Sequence, residues 1–123
     1  MWTTLTQQVG VLISPAYQEL VFIGVGVLFI VAGLPLARNM IPPNHWGGVR
    51  LRKTLSDERI WYLANSYCGR AYVLHGSIII VLAAALRLTA MSPATYGSMG
   101  FLVIFGGLVL TTVAVLIYTI RVS

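Results

Sequence analysis

The sequence predicts an all-α integral membrane protein: three transmembrane helices and an interfacial amphipathic helix on the cytoplasmic side. Three observations predict it. Hydrophobic residues make up 58% of the 123 and charged residues only 9%, where a soluble domain carries about 25% charged residues. Eleven charged side chains cannot cover the surface that a domain of this size exposes to water. Three long stretches are almost free of charge, and the basic residues crowd between the first two. The length corresponds to a single domain, residues 1–123.

The elements follow in chain order. The first eighteen residues lack the basic start and long apolar run of a signal peptide. Leu5, Val9, Leu12 and Ile13 can share one face of a short interfacial helix before Pro15, with Trp2 at the headgroups. A frayed terminus is the alternative. Residues 20–37 form the first span. They carry no charge and end near Pro35, at about the length that crosses a hydrocarbon core of about 30 Å. Residues 71–86 would cover only about 24 Å; extension to residue 90 restores the length, with Arg87 snorkelling to the interface. Residues 101–120 form the third span, also uncharged.

Orientation follows from the basic residues in short loops. Arg38, Arg50, Arg52, Lys53, Arg59 and Arg70 lie between spans one and two, and Arg121 lies on the same side of a three-span chain. That side is therefore expected in the cytoplasm and the N-terminus outside. The net charge of +5 marks this face and does not point to nucleic acid. Basic side chains there suit anionic lipids.

The connection 38–70 is long for so small a protein, and such loops are uncommon unless functional. Pro42 and Pro43 impose extended or turn geometry. Gly47 and Gly48 permit positive φ or close approach. Residues 54–68 read as the interfacial helix. Thr54 or Ser56 caps it, Asp57 and Glu58 fall in its first turn, and Gly69 follows its last. Ile60, Ala64, Tyr67 and Ala71 share one face, opposite Arg59, Tyr62, Ser66 and Arg70. Trp46, Trp61, Tyr62, Tyr67 and Tyr72 offer aromatic anchors. Asn65, one turn after Trp61, can hydrogen-bond the Pro42–Gly48 turn and close it over the helix.

These residues also carry a resemblance. Pro42, Pro43, Asn44, Trp46, Gly48 and Arg50, then Thr54 and Leu55, then Trp61, Asn65, Gly69 and Arg70 stand at the spacing of the SdpI family of small bacterial membrane proteins. One position departs: Leu51 stands where the family often has threonine. The resemblance covers the loop and its helix; the flanking spans match in hydrophobicity alone. It implies a protein of the bacterial plasma membrane. The family's founding member is longer, protects its host from a secreted toxic peptide, and signals by recruiting a repressor to the membrane. The implied function is immunity to, or sensing of, a membrane-active peptide by binding. Pro43, Asn44, Trp46, Gly48, Arg50, Arg52, Thr54, Leu55, Trp61, Asn65 and Gly69 would then form the docking motif. The implied partners are a peptide toxin and a repressor-type regulator.

A different class of function is an accessory subunit of a larger membrane complex, because three thin helices bury little and gain stability from a partner. Small residues in the spans also permit a homo-oligomer. Arg50 presents a fork suited to phosphate or carboxylate. His75 lies one turn inside the second span, where polar groups are often functional; a bond to Tyr72, a carbonyl or water is the structural reading. Cys68 reads as a packed thiol or an acylation site. Catalysis is not expected: Asp57 and Glu58 are adjacent and point to different helix faces. No metal-ligand spacing occurs, and no cofactor is implied.

Overall fold

The computed structural model describes residues 2–12 and 14–123, with backbone alone for residues 11 and 12. Helix α1 is Trp2–Leu12, α2 Pro15–Ala37, α3 Arg52–Ser56 and α4 Glu58–Arg87. Helix α5 (Pro93–Phe101) runs through a π-helical turn (Leu102–Gly106) into α6 (Gly107–Val122). No strand occurs among the described residues. Three helices are long and apolar enough to cross a membrane: Pro15–Ala37, Glu58–Arg87 and Pro93–Val122.

Local chemistry sets the helix ends. Ser14 caps α2, its Oγ accepting from the Tyr17 amide, and Pro15 supplies a preset φ at the first position. Asn39 adopts a left-handed φ of 56°, and the Met40 amide reaches back to the Pro35 carbonyl at 2.9 Å. That closes α2 as a left-handed cap does. Ser92 and Pro93 start α5 in the same way as Ser14 and Pro15 start α2. The cap of α4 is Asp57, which accepts from the amides of Arg59 and Ile60. Neither Thr54 nor Ser56, the expected caps, starts this helix.

Helices α2 and α4 run antiparallel at backbone contact. Gly33 faces Gly69 and Gly26 faces Gly76. A Cβ on Gly33 would lie 2.6 Å from the Gly69 carbonyl oxygen, and one on Gly26 would lie 2.7 Å from that of Gly76. Real Cβ atoms do not come so close, so both helices must present glycine at these levels. In lipid, where apolar burial gives no advantage over lipid contact, such close packing is what joins helices. Toward the other end the contact widens into a small cluster of Phe22, Ile79, Ala83 and Tyr96. The Tyr96 hydroxyl donates to the Ala83 carbonyl at 2.8 Å.

This pairing sets the register against a bilayer. From Gly69, beside Gly33, to Arg87, ion-paired with Glu19 at 2.9 Å, α4 rises about 27 Å. The first turns of α4, from Glu58, project beyond the end of α2. They are continuous with the span, so the interfacial helix expected at residues 54–68 is not a separate element. Gly69 does not end a helix; it is the contact point with α2. The second span stops at Arg87 rather than at residue 90.

Helix α1 forms, with Leu5 and Val9 exposed rather than in the core. Ile13 and the Leu12 side chain lie outside the described residues. The third spanning helix, Pro93–Val122, is the least buried of the three. Its lower part meets α4 where Tyr67 stacks on Tyr118, ring centroids 4.3 Å apart.

The seam gives a paired test. Gly76→Ala places a methyl group against the backbone of α2 and should destabilise the protein by about 1–3 kcal/mol. Gly24→Ala, with no atom within 4 Å of its new Cβ, should be neutral or stabilising, since alanine favours a helix by about 1 kcal/mol. Denaturant unfolding in detergent micelles measures both.

Candidate functional site

Residues 38–51 contain no helix, yet side chains of the loop, α3 and α4 pin them throughout. Asn44 builds the first turn. Its Oδ1 accepts from the amides of Trp46 (3.0 Å) and Gly47 (2.8 Å), and its Nδ2 donates to the Pro42 carbonyl at 2.8 Å. This is the local bonding that suits asparagine to turns. Gly48 follows with φ of 88°, which glycine adopts without strain. A Cβ there would also run into Asn65 Oδ1.

Asn65 holds the second half. Its Oδ1 accepts the Val49 amide at 2.6 Å, and its Nδ2 donates to the Trp61 carbonyl at 2.9 Å. The Trp61 ring is fully buried, and its Nε1 donates to the Ile41 carbonyl at 2.9 Å. Thr54 is fully buried as well. Its Oγ1 accepts from the Leu51 amide at 2.8 Å, and its hydroxyl lies 2.8 Å from the Val49 carbonyl oxygen and 2.9 Å from that of Leu51. Thus the loop is clamped at Ile41, Val49 and Leu51 by three buried side chains. Buried polar groups require such partners; Asn65 closes the loop, but through Val49, one residue past the Pro42–Gly48 turn where the bond is expected.

The clamp separates the motif residues into two sets. Asn44, Gly48, Thr54, Trp61, Asn65 and Gly69 build the scaffold. Pro43, His45, Trp46, Arg50, Arg52, Lys53 and Leu55 face outward. Trp46 is 88% exposed, whereas Trp61, expected as an interfacial anchor, is wholly inside.

Beneath the turn lies a cleft of about 490 Å³. Ala32, Pro35 and Leu36 of α2 form one wall, Cys68 and Tyr72 of α4 another, and Ile41, Trp46 and Val49 the rim. Cys68 and Tyr72, one turn apart, are within side-chain hydrogen-bonding reach. A smaller cleft of about 190 Å³ lies on the other side of Val49, Cys68 and Tyr72, against Thr111 and Val115 of α6. The contribution of α2 and Cys68 is not visible in the motif spacing. It comes from the glycine seam, which brings α2 beside α4 at this level.

His75 and Arg87 lie elsewhere. His75 is buried level with Gly26, midway along the bundle, and not near an interface. Its Nε2 lies 3.2 Å from the Ile104 carbonyl oxygen in the π-helical turn, and its ring meets Phe29 edge-on at 4.8 Å. Gly107 leaves room for the ring. All three spans therefore meet at His75, and its observed partner is a carbonyl. Arg87 does not snorkel alone; Glu19, 68 residues earlier, pairs with it.

The surroundings are suited to binding. The cleft lining is apolar, with Asn44 committed to the turn. Asp57 is committed to its helix cap. Among the described residues no three of His, Cys, Asp and Glu group as metal ligands.

A family model described as the SdpI/YfhL protein family matches residues 40–119. One similar protein is the immunity protein SdpI of Bacillus subtilis, 35% identical over 75 residues, which are 58% of this chain and 35% of that protein. Another is the uncharacterized protein YfhL of Bacillus subtilis, 37% identical over 57 residues, 44% of this chain and 50% of that protein. The chain thus spans about a third and about half of these relatives. No solved structure matches significantly.

Asn65→Ala should free the loop. It leaves the Val49 amide without its acceptor, a loss worth about 1–3 kcal/mol for a buried group. Hydrogen exchange should accelerate across residues 44–51, while Arg50→Gln, altering an exposed side chain, should leave exchange unchanged.

Proposed function

The chain belongs to the SdpI/YfhL protein family, and on that premise we propose that it confers immunity to, or senses, a membrane-active peptide by binding it. The observation that carries the reading is the clamped turn. Buried Thr54, Trp61 and Asn65 hold the backbone that carries the outward side chains Trp46, Arg50, Arg52 and Lys53, so a partner meets them with little backbone left to order. Preorganisation of this kind favours recognition. The immunity function named for the SdpI relative supports the same reading. The motif residues present no paired nucleophile and base, which favours binding over chemistry.

The basic end, with Arg38, Arg50, Arg52, Lys53, Arg59, Arg70 and Arg121, faces the cytoplasm of a bacterial plasma membrane in this reading, and the N-terminus faces outward. A peptide entering the bilayer meets the spans, and the turn relays its presence to a cytoplasmic regulator. An accessory-subunit role is the second reading. It draws on the lightly buried third span, where Leu102, Val109, Leu110 and Ile120 are all at least 62% exposed. Stoichiometric co-purification with one large complex in mild detergent would favour it.

Expression in a host sensitive to a membrane-active peptide tests the main reading. Survival should rise over the empty vector, and Trp46→Ala with Arg50→Gln should remove most of the gain at equal protein level. Unchanged killing with the protein in the membrane would contradict it.

A further inference from the structure

The cleft beneath the turn has the place and lining of a lipid site. Its walls at Ala32, Pro35 and Leu36 belong to the last turns of a spanning helix, so it opens at the boundary between acyl chains and headgroups. Its volume of about 490 Å³ falls within the roughly 300–1,000 Å³ of small-molecule sites. Trp46 and Tyr72, residues of the type that sit at headgroup depth, flank it.

Charge points to the headgroup. Seven of the eight cations lie at this end of the bundle, and none has an acidic partner among the described residues. Glu19 and Arg87 neutralise each other at the opposite end, so the net +5 belongs to the cleft end. Arg38 follows the helix that supplies one wall, and Arg50 follows Val49 on the rim. No carboxylate lines the cleft. An apolar slot beside unpaired cations at the membrane boundary complements one kind of molecule present there.

We propose that this cleft holds one acyl chain of an anionic phospholipid, with its phosphate met by Arg38 and Arg50. The bound lipid then completes the wall between α2 and the clamped turn. This assignment stands apart from the immunity reading, since it concerns a resident lipid and not a peptide.

Fluorescence of Trp46 provides the test. A Trp2→Phe background removes the exposed tryptophan of α1; Trp61 stays buried. The protein in mild detergent is titrated with phosphatidylglycerol bearing brominated acyl chains, and with phosphatidylcholine bearing the same chains. Saturable quenching by phosphatidylglycerol is expected at concentrations where phosphatidylcholine has little effect. Arg38→Gln or Arg50→Gln should each weaken binding about fivefold, the equivalent of about 1 kcal/mol per charge near an anionic headgroup. Ala32→Phe and Val49→Phe each narrow the cleft and should abolish the saturable phase; using two sites guards against one variant misfolding. Quenching that does not saturate, that phosphatidylcholine matches, or that survives both narrowing variants overturns the proposal. Peptide survival is scored separately, so failure of either proposal is distinguishable.

Discussion

The structure depends on the backbone contact between α2 and α4. Gly26 and Gly33 on one helix meet Gly76 and Gly69 on the other, seven residues apart in each. Two antiparallel helices that interlock at this repeat can stay in contact along their length. Because lipid is as apolar as leucine, a seam of small residues replaces the large buried core of a soluble domain. The buried hydrophobic cluster is accordingly small: Phe22, Ile79, Ala83 and Tyr96.

That seam positions everything at the basic end. It fixes how far α4 extends past α2, and the projecting first turns of α4 become the post on which the 38–51 turn is mounted. Trp61 and Asn65 face the turn from this post, and Thr54 joins them from α3. Their hydrogen bonds exchange backbone groups that water would satisfy for side chains that hold one geometry. The outward residues are fixed indirectly, since Trp46 and Arg50 inherit their places from Asn44, Gly48 and Val49. At mid-bundle the same register sets His75 between Phe29 and the Ile104 carbonyl.

Much of this was legible in the sequence. The three spans follow from charge-free stretches, and the closure of the loop by Asn65 follows from an amide one helical turn after Trp61. Other features were not, for identifiable reasons. Gly69 stands after a capped amphipathic stretch and reads as a helix stop, but a glycine that admits a neighbouring helix looks the same in one dimension. Asp57 outcompetes Thr54 as the cap because Thr54 is needed by Val49 and Leu51. Glu19 and Arg87 are 68 residues apart, a pairing that only the antiparallel register brings together. Trp61 resembles an interfacial anchor until its indole N–H finds the Ile41 carbonyl. The cleft itself draws on α2, outside the motif, and so has no local signature.

The clamped turn gives the proposed recognition a fixed surface, and the glycine seam explains how so small a chain presents one at all. The most direct measurement is solid-state NMR of protein labelled with 13C at glycine alone, reconstituted in bilayers. The account predicts through-space correlations of Gly33 with Gly69 and of Gly26 with Gly76. Helices formed in full with neither correlation present would contradict it.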